Sequence, residues 1–180
     1  AIYQSAADVG LVPKLGLDTI EAPAGWHWKA MAVYREMADA WKHQGRYDLA
    51  AKFYKRVVDE SRKMWGDDHL RMVSSYSDFA SVLKKSGEYS RALELQETAL
   101  AIQLNTLGED HPEVATTYSN MASALLQQGE SGRALELGEK ALAIELKTLG
   151  EDHPELATTY TIMAWALLQQ GEYGRALELG

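Results

Sequence analysis

The sequence of 180 residues contains no cysteine, only four prolines and only two phenylalanines. The absence of cysteine excludes disulfides, thiolate metal sites and cysteine nucleophiles, and it is compatible with a reducing compartment such as the cytoplasm. Basic side chains are also scarce, because 18 of them stand against 26 acidic ones and leave a net charge of -8. A nucleic-acid-binding protein needs a basic surface, so we expect no nucleic-acid partner.

Long apolar runs and catalytic motifs are missing as well. No segment approaches the roughly 20 apolar residues that cross a bilayer, so direct membrane insertion is not expected. There is no phosphate-binding glycine loop, no His-Glu-x-x-His and no Gly-x-Ser-x-Gly, and we therefore expect no cofactor and no enzymatic activity. The chain starts at Ala1 without a signal peptide and stops at Gly180 in mid-pattern, which predicts a piece of a longer protein.

The sequence does contain an internal repeat of 42 residues. The block Leu-Gly-Glu-Asp-His-Pro at 107–112 returns at 149–154, and 27 of 32 positions are identical between 107–138 and 149–180. Four columns keep this register through four repeats: Tyr34, Tyr76, Tyr118 and Tyr160; Ala38, Ala80, Ala122 and Ala164; Gly45, Gly87, Gly129 and Gly171; Ala50, Ala92, Ala134 and Ala176. A fixed period of this length predicts a stacked repeat architecture.

Each repeat has the pattern of two helices, called helix A and helix B here. In the third repeat, apolar residues recur at helical spacing before and after Gly129, which predicts a helix, a tight turn and a second helix. Pro112 suits the first turn of helix A, and Asp110 or His111 is expected to cap it. The small alanine columns predict close contact between the two helices of a hairpin.

The motif Tyr-x-x-Met-Ala-x-x-Leu-x-x-x-Gly-x-x-x-x-Ala resembles the tetratricopeptide repeat over residues 28–180. The 42-residue length and the Leu-Gly-Glu-Asp-His-Pro linker resemble the subtype of kinesin light chains. This resemblance implies an all-α fold, a right-handed solenoid of stacked antiparallel helix hairpins. It also implies repeats at about 28–69, 70–111 and 112–153, with a truncated one at 154–180, and a role in holding other proteins.

Residues 1–27 do not match the repeat, because glycine and proline interrupt them. We interpret them as an irregular arm with a short helix near Ser5–Val9. The arm either caps the first repeat or lies against a partner, and the sequence leaves both open.

The resemblance further implies that a ligand lies in a concave groove lined by the A helices. We single out fifteen groove positions: Arg35, Asp39, Lys42, His43, Ser77, Ser81, Lys84, Lys85, Ser119, Asn120, Ser123, Gln127, Thr161, Trp165 and Gln169. The groove is basic in its first half and apolar near Trp165, which favours an acidic peptide with an aromatic or apolar residue.

Two departures limit the resemblance. Kinesin light chains carry paired asparagines on helix A, and only Asn120 matches them. Asp39 occupies the asparagine slot of the carboxylate clamp that binds chaperone C-termini, so a chaperone partner is not favoured. Ile162 and Trp165 replace Asn120 and Ser123 of the preceding repeat, and this exchange predicts a contact with a partner or with a further repeat.

Four histidines, His27, His69, His111 and His153, occupy the same loop slot 42 residues apart. This spacing favours a capping role over a shared metal site. The acidic pairs beside them are explained by the positive ends of the helix dipoles. The sequence therefore favours a non-enzymatic scaffold or adaptor, with a fixed structural subunit of a large assembly as the alternative.

Overall fold

The structure is a computed structural model, and it describes residue 25 and residues 27–179. That part of the chain contains helices and no strand. The predicted arm, with its short helix and its capping role, lies outside the described residues except for Gly25 and His27. The helices are α1 (His27–His43), α2 (Tyr47–Trp65), α3 (Met72–Lys85), α4 (Tyr89–Leu107), α5 (Pro112–Gln128), α6 (Ser131–Leu149), α7 (Leu156–Gln170) and α8 (Tyr173–Glu178).

The chain forms two compact units, which we call the N-terminal unit (Ala1–Glu88) and the C-terminal unit (Tyr89–Gly180). In the N-terminal unit, α2 packs against both α1 and α3. In the C-terminal unit, each helix from α4 to α8 packs against the next one, and α5 also contacts α7. The direct contact between α5 and α7 brings together two A helices, which carry the predicted groove positions.

The recurring register of small residues explains the close packing inside each hairpin. Ala38 and Ala50 are fully buried in the N-terminal unit, as are Ala122 and Ala134 in the C-terminal unit. A larger side chain at these positions would push the two helices apart. The turn between the helices is made by glycine with positive φ, such as Gly129 at 82°, a backbone conformation that other residues adopt at a cost.

Three of the four loop histidines make the same local hydrogen bond near the start of a helix A, and one of them, His111, is the N-cap of its helix, α5. The Nδ1 atom accepts a hydrogen bond from the backbone N–H two residues later in His69 (3.1 Å), His111 (3.2 Å) and His153 (3.3 Å). Asp110, the other predicted cap, instead forms an ion pair with Lys147. His27 also differs, because its Nδ1 lies 2.5 Å from Oε2 of the fully buried Glu60.

A buried polar bridge joins helix B of one repeat to helix A of the next. Each bridge links two side chains that are 14 residues apart, and a hydroxyl from helix A takes part in every one. The bridges are Ser61–Ser75 (3.0 Å), Gln103–Thr117 (2.7 Å) and Glu145–Thr159 (2.9 Å). Burial raises the cost of an unmade hydrogen bond, so these pairs fix which faces of the two helices meet.

The prediction of an all-α fold built from packed helix hairpins is confirmed for the described residues. Within the described residues, no helix has both the length and the apolar character needed to span a bilayer.

Candidate peptide-binding site

Eight of the predicted groove positions lie in the N-terminal unit. Arg35, Asp39, Lys42 and His43 are on α1, and Ser77, Ser81, Lys84 and Lys85 are on α3. They place six ionisable side chains, four of them Lys or Arg, on the two A helices of this unit. Which other groups these cations contact determines whether they are available for an acidic ligand.

Arg35 forms an ion pair with Asp78, so the protein itself supplies a carboxylate to this groove position. Asp78 was not among the predicted site residues. Burial raises the pKa of the Asp78 carboxyl, while Arg35 and Lys42 oppose that increase. The pair joins α1 to α3 and leaves both side chains about one-third exposed.

Asp39 and Lys42 form a second cluster with Tyr54 of α2. The Lys42 Nζ lies 2.8 Å from the Asp39 carboxylate and donates to the Tyr54 hydroxyl at 3.1 Å, while that hydroxyl donates to Asp39 at 2.5 Å. Burial would raise the pKa of Asp39, but the hydrogen bonds from Lys42 and Tyr54 lower it overall. Burial and the bond to Asp39 raise the pKa of Tyr54 to about 12. Asp39 is thus already bound by two side chains of its own unit.

The two remaining lysines among the predicted positions, Lys84 and Lys85, have different surroundings. The Lys85 Nζ lies 5.9 Å from the centre of the Tyr47 ring, a cation–π distance. Burial, together with the charge of Lys85, lowers the pKa of Lys84. His43 and Ser81 are exposed, and Ser77 is half-buried.

In the C-terminal unit, four of the predicted positions come together around one cavity. It has a volume of about 320 Å³ and lies between α5 and α7. Its walls are Ser123, Leu126, Gln127, Ile162, Trp165 and Gln169. The amide of Gln169 donates to the Leu126 carbonyl at 3.4 Å, which links the two helices at the cavity wall.

The apolar part of this pocket comes from Leu126 and from two exchanges in the fourth repeat, Ile162 for Asn120 and Trp165 for Ser123. Trp165 is 59% exposed, although tryptophan is one of the most apolar side chains, and Ile162 is packed against the core below it. The pocket also lacks charge. Helix α7 carries no Asp, Glu, Lys, Arg or His, and the only charged residue of α5 is Glu113 in its first turn.

The other predicted positions of this unit lie outside the cavity wall. The Ser119 hydroxyl bonds the Thr159 hydroxyl at 3.0 Å and so extends the bridge to Glu145. Asn120, the one match to the paired asparagines, is exposed, and the Thr161 hydroxyl donates to the Ala157 carbonyl of its own helix.

A tetratricopeptide repeat family model matches residues 29–105, 72–147 and 133–180. The chain belongs to the tetratricopeptide repeat family. No curated protein matches this tetratricopeptide repeat protein significantly in sequence.

Solved structures of similar proteins identify the repeat type. A putative kinesin light chain of Podosopora anserina with nearly identical TPR-like repeats is 27% identical, with a TM-score of 0.76 over 98% of this chain and 83% of that one. A single-residue variant of that protein gives 27% and 0.77 over 98% and 82%. BtubC (BKLC) from P. vanneervenii, at 22% identity, shares the fold with a TM-score of 0.74 over 83% of this chain, which spans 59% of BtubC. The repeats are of the kinesin light chain-like type.

Tetratricopeptide repeats generally mediate protein–protein interactions, and this fold is typically a non-enzymatic scaffold. Among the residues that the structure describes, no group of three or more His, Cys, Asp or Glu side chains could hold a metal ion. Sequence reasoning missed Asp78, Tyr54 and the buried bridges. The repeat register alone marks none of them, because each of these contacts joins side chains of different helices.

Proposed function

We propose that this protein is a non-enzymatic interaction scaffold whose C-terminal unit binds a peptide or protein segment in the pocket between α5 and α7. The observation that carries the proposal is the exposed Trp165 at the wall of a concave, mainly apolar cavity. Cavities lined by apolar groups and a few polar ones are the usual binding sites of proteins, and tryptophan is enriched among the residues that dominate binding energy. Serine and glutamine side chains beside it offer hydrogen bonds to a peptide backbone.

The acidic part of the predicted ligand has less support. In the N-terminal unit, Arg35 and Lys42 already bind the carboxylates of Asp78 and Asp39. An acidic ligand would have to compete with these internal partners, so its net gain would be small. Contacts of an acidic segment with Lys84 and Lys85 stay a prediction, and the apolar contact is the basis of the proposal.

Selection from a random peptide display library tests the proposal. We expect the selected peptides to share a large apolar residue and to lose binding when Ile162→Asn and Trp165→Ser are combined. This double variant gives the fourth repeat the residues that the third repeat carries at the same positions, Asn120 and Ser123. The loss should be about tenfold or more, since hot-spot side chains are worth roughly 2 kcal/mol or more.

Trp28→Ser is the matched control, because Trp28 is 56% exposed and lies on α1, outside the pocket. Binding should survive this change and also Lys84→Glu combined with Lys85→Glu. Peptides that bind the Ile162/Trp165 double variant as well as the unchanged chain would disprove the pocket assignment. Loss of binding only with the lysine changes would favour the acidic segment.

The second candidate is a fixed structural subunit of a larger assembly. Light scattering of the purified chain, combined with the peptide selection, distinguishes the two functions. A monomer that binds peptides supports the scaffold, whereas a chain that self-associates and selects no peptide supports the subunit.

A further inference from the structure

The pocket between α5 and α7 is electrically neutral, but the unit around it is strongly acidic. Residues 89–180 carry 14 acidic and 5 basic side chains, a net charge of -9, whereas residues 1–88 carry 12 acidic and 13 basic ones. We propose that the pocket takes one large apolar side chain from a segment whose flanking residues are lysine or arginine. This inference rests on the proposed function, and it reverses the acidic ligand that the sequence favours.

The wall of the cavity determines the chemistry of the side chain that enters it. None of the six wall residues is charged, and Leu126, Ile162 and Trp165 supply its apolar surface. A charged side chain placed there would lose water without gaining a counter-ion, which is costly. A volume of about 320 Å³ is at the small end of ligand pockets, so it suits a single anchoring side chain.

The surrounding charge determines the chemistry of the flanking residues. Three of the five cations of this unit are already paired with its own carboxylates, in Arg133–Glu130 (2.7 Å), Arg175–Glu172 (2.7 Å) and Lys147–Asp110. The field outside the pocket is therefore negative. Such a field attracts basic segments, raises their association rate and repels acidic ones.

The acidic residues at the two ends of α5 and α7 show which carboxylates lie near the pocket in sequence and which lie far from it. Glu130 follows α5 directly after the turn glycine, three residues beyond Gln127, and Glu172 follows α7 in the same relation to Gln169. Each is paired with an arginine three residues later, so removing its carboxylate leaves the charge of that arginine uncompensated at this end of the helices. Glu109 and Glu151 lie at the opposite ends of these helices. A helix of 17 residues is about 25 Å long, which exceeds the Debye length of about 8 Å at physiological ionic strength. Charges at one end of α5 are therefore largely screened from a ligand at its other end.

Four short synthetic peptides test the inference by isothermal titration with the unchanged chain. Three have a central phenylalanine and differ only in their flanks, which are lysine, glutamine or glutamate, and the fourth has lysine flanks and a central serine. We expect the lysine-flanked phenylalanine peptide to bind about tenfold more tightly than the glutamate-flanked one at low salt. This difference should shrink as salt rises to about 1 M, where the Debye length falls to about 3 Å.

Paired variants with the same change in charge locate the effect. Glu130→Gln with Glu172→Gln should reduce the advantage of lysine flanks, whereas Glu109→Gln with Glu151→Gln should reduce it less. Equal or tighter binding of the glutamate-flanked peptide overturns the inference and leaves the proposed function intact. Equal binding of the serine-centred peptide shows attraction to the acidic surface alone and also overturns it. If none of the phenylalanine peptides binds, the proposed function itself fails.

Discussion

The two units of this protein each bury a carboxylate on a B helix, and they treat it in opposite ways. In the N-terminal unit, Glu60 is fully buried and bonds His27 at 2.5 Å and Lys63 at 3.0 Å. In the C-terminal unit, Glu145 is 8% exposed, accepts one bond from the Thr159 hydroxyl and has an Oε2 atom without a hydrogen-bond partner. The same scaffold therefore tolerates a buried acid with cations and without them.

The pKa values of the two acids follow from these partners. Burial would raise the pKa of Glu60, but the hydrogen bonds from His27 and Lys63 lower it overall. Burial raises the pKa of Glu145, which has only the weaker opposing effect of the Thr159 bond and is also repelled by Glu155. Ionic contacts thus stabilise the charged form of Glu60 in the N-terminal unit. In the C-terminal unit, the loss of hydration destabilises the charged form of Glu145.

The two units also differ in how they fill one equivalent position of their B helices. Tyr54, Gln96 and Gly138 occupy equivalent positions of three successive B helices. Tyr54 fills its site and joins the Asp39 cluster, whereas at Gly138 the side chain of Met163 occupies the space instead. The N-terminal unit is built around a large polar aromatic, and the C-terminal unit around a close approach of α6 and α7.

The largest effect is expected from Tyr54→Ala. Tyr54 is 1% exposed, so its truncation leaves a cavity and removes a hydrogen-bond partner from both Asp39 and Lys42. The free energy of unfolding should fall by about 3–5 kcal/mol, as measured by urea denaturation. Tyr54→Phe keeps the ring and should cost about 1 kcal/mol. Equal losses from the two changes would mean that the hydroxyl, and not the packing, holds this unit together.

Gly138→Ala should be the next most disruptive change. A Cβ at this position would lie 2.7 Å from the Met163 Cγ, so the methionine must shift, and overpacking of this kind costs about 1–3 kcal/mol. The better helix propensity of alanine returns about 1 kcal/mol. Gly132→Ala on the same helix meets nothing within 4 Å and should be stabilising. Melting temperatures of the two variants should move in opposite directions, and a shared increase would refute the close approach.

Glu145→Gln and Glu60→Gln should respond to pH with opposite signs. Because the pKa of Glu145 is raised by folding, its stabilising contribution is present below the unfolded value of about 4.3 and is lost as pH rises through the folded value. The glutamine variant should therefore be more stable than the unchanged chain at pH about 7, by about 1 kcal/mol, and lose this advantage towards pH about 4. Gln103 shows the expected geometry, since it accepts from Thr117 and donates to the Glu113 carbonyl.

For Glu60 the sign is reversed, because its pKa is lowered by folding. Its contribution is present above the unfolded pKa and is lost as pH falls through the folded one. Glu60→Gln should thus destabilise the protein at neutral pH and lose this effect on acidification. Urea midpoints of both variants between pH about 4 and about 8 check the pair. Parallel pH curves for the two variants would contradict the assignment of opposite shifts.

The smallest effect on stability is expected from Trp165→Ser. Its ring is 59% exposed, and substitutions at exposed positions usually change stability by less than about 0.5 kcal/mol. Its thermal melting curve should overlay that of the unchanged chain. A large decrease in melting temperature would show that Trp165 stabilises the fold, and its exposure would then no longer support a binding role.

Much of this could be predicted from the period of the sequence. The alanine and glycine columns predicted the hairpins, because small residues and positive φ are required at the same points of every repeat. Four of the predicted helix A positions, among them Ser123 and Trp165, lie in the wall of the pocket, and their role in binding stays a prediction. The period could not predict that Arg35 binds Asp78, since a repeat register places a side chain on a face without identifying its neighbour on the next helix.

The bridges were hidden for a related reason. Each one joins two repeats, so its halves belong to different copies of the pattern and appear unrelated when the copies are aligned. Ser61, Gln103 and Glu145 share one column, yet they differ in size and charge, and no column analysis marks them as equivalent in role. Only the geometry of neighbouring helices shows that each meets a hydroxyl.

That hydroxyl has a consequence for how such a chain can lengthen. Serine and threonine both donate and accept hydrogen bonds, so the same hydroxyl of helix A can form a bond with a serine, a glutamine or a glutamate of the preceding copy. A duplicated block of 42 residues could therefore be inserted at any of these three junctions and still find a hydroxyl partner for its buried polar group. The hydroxyl acts as a common connector, and it makes the copies interchangeable during duplication while their exposed surfaces diverge.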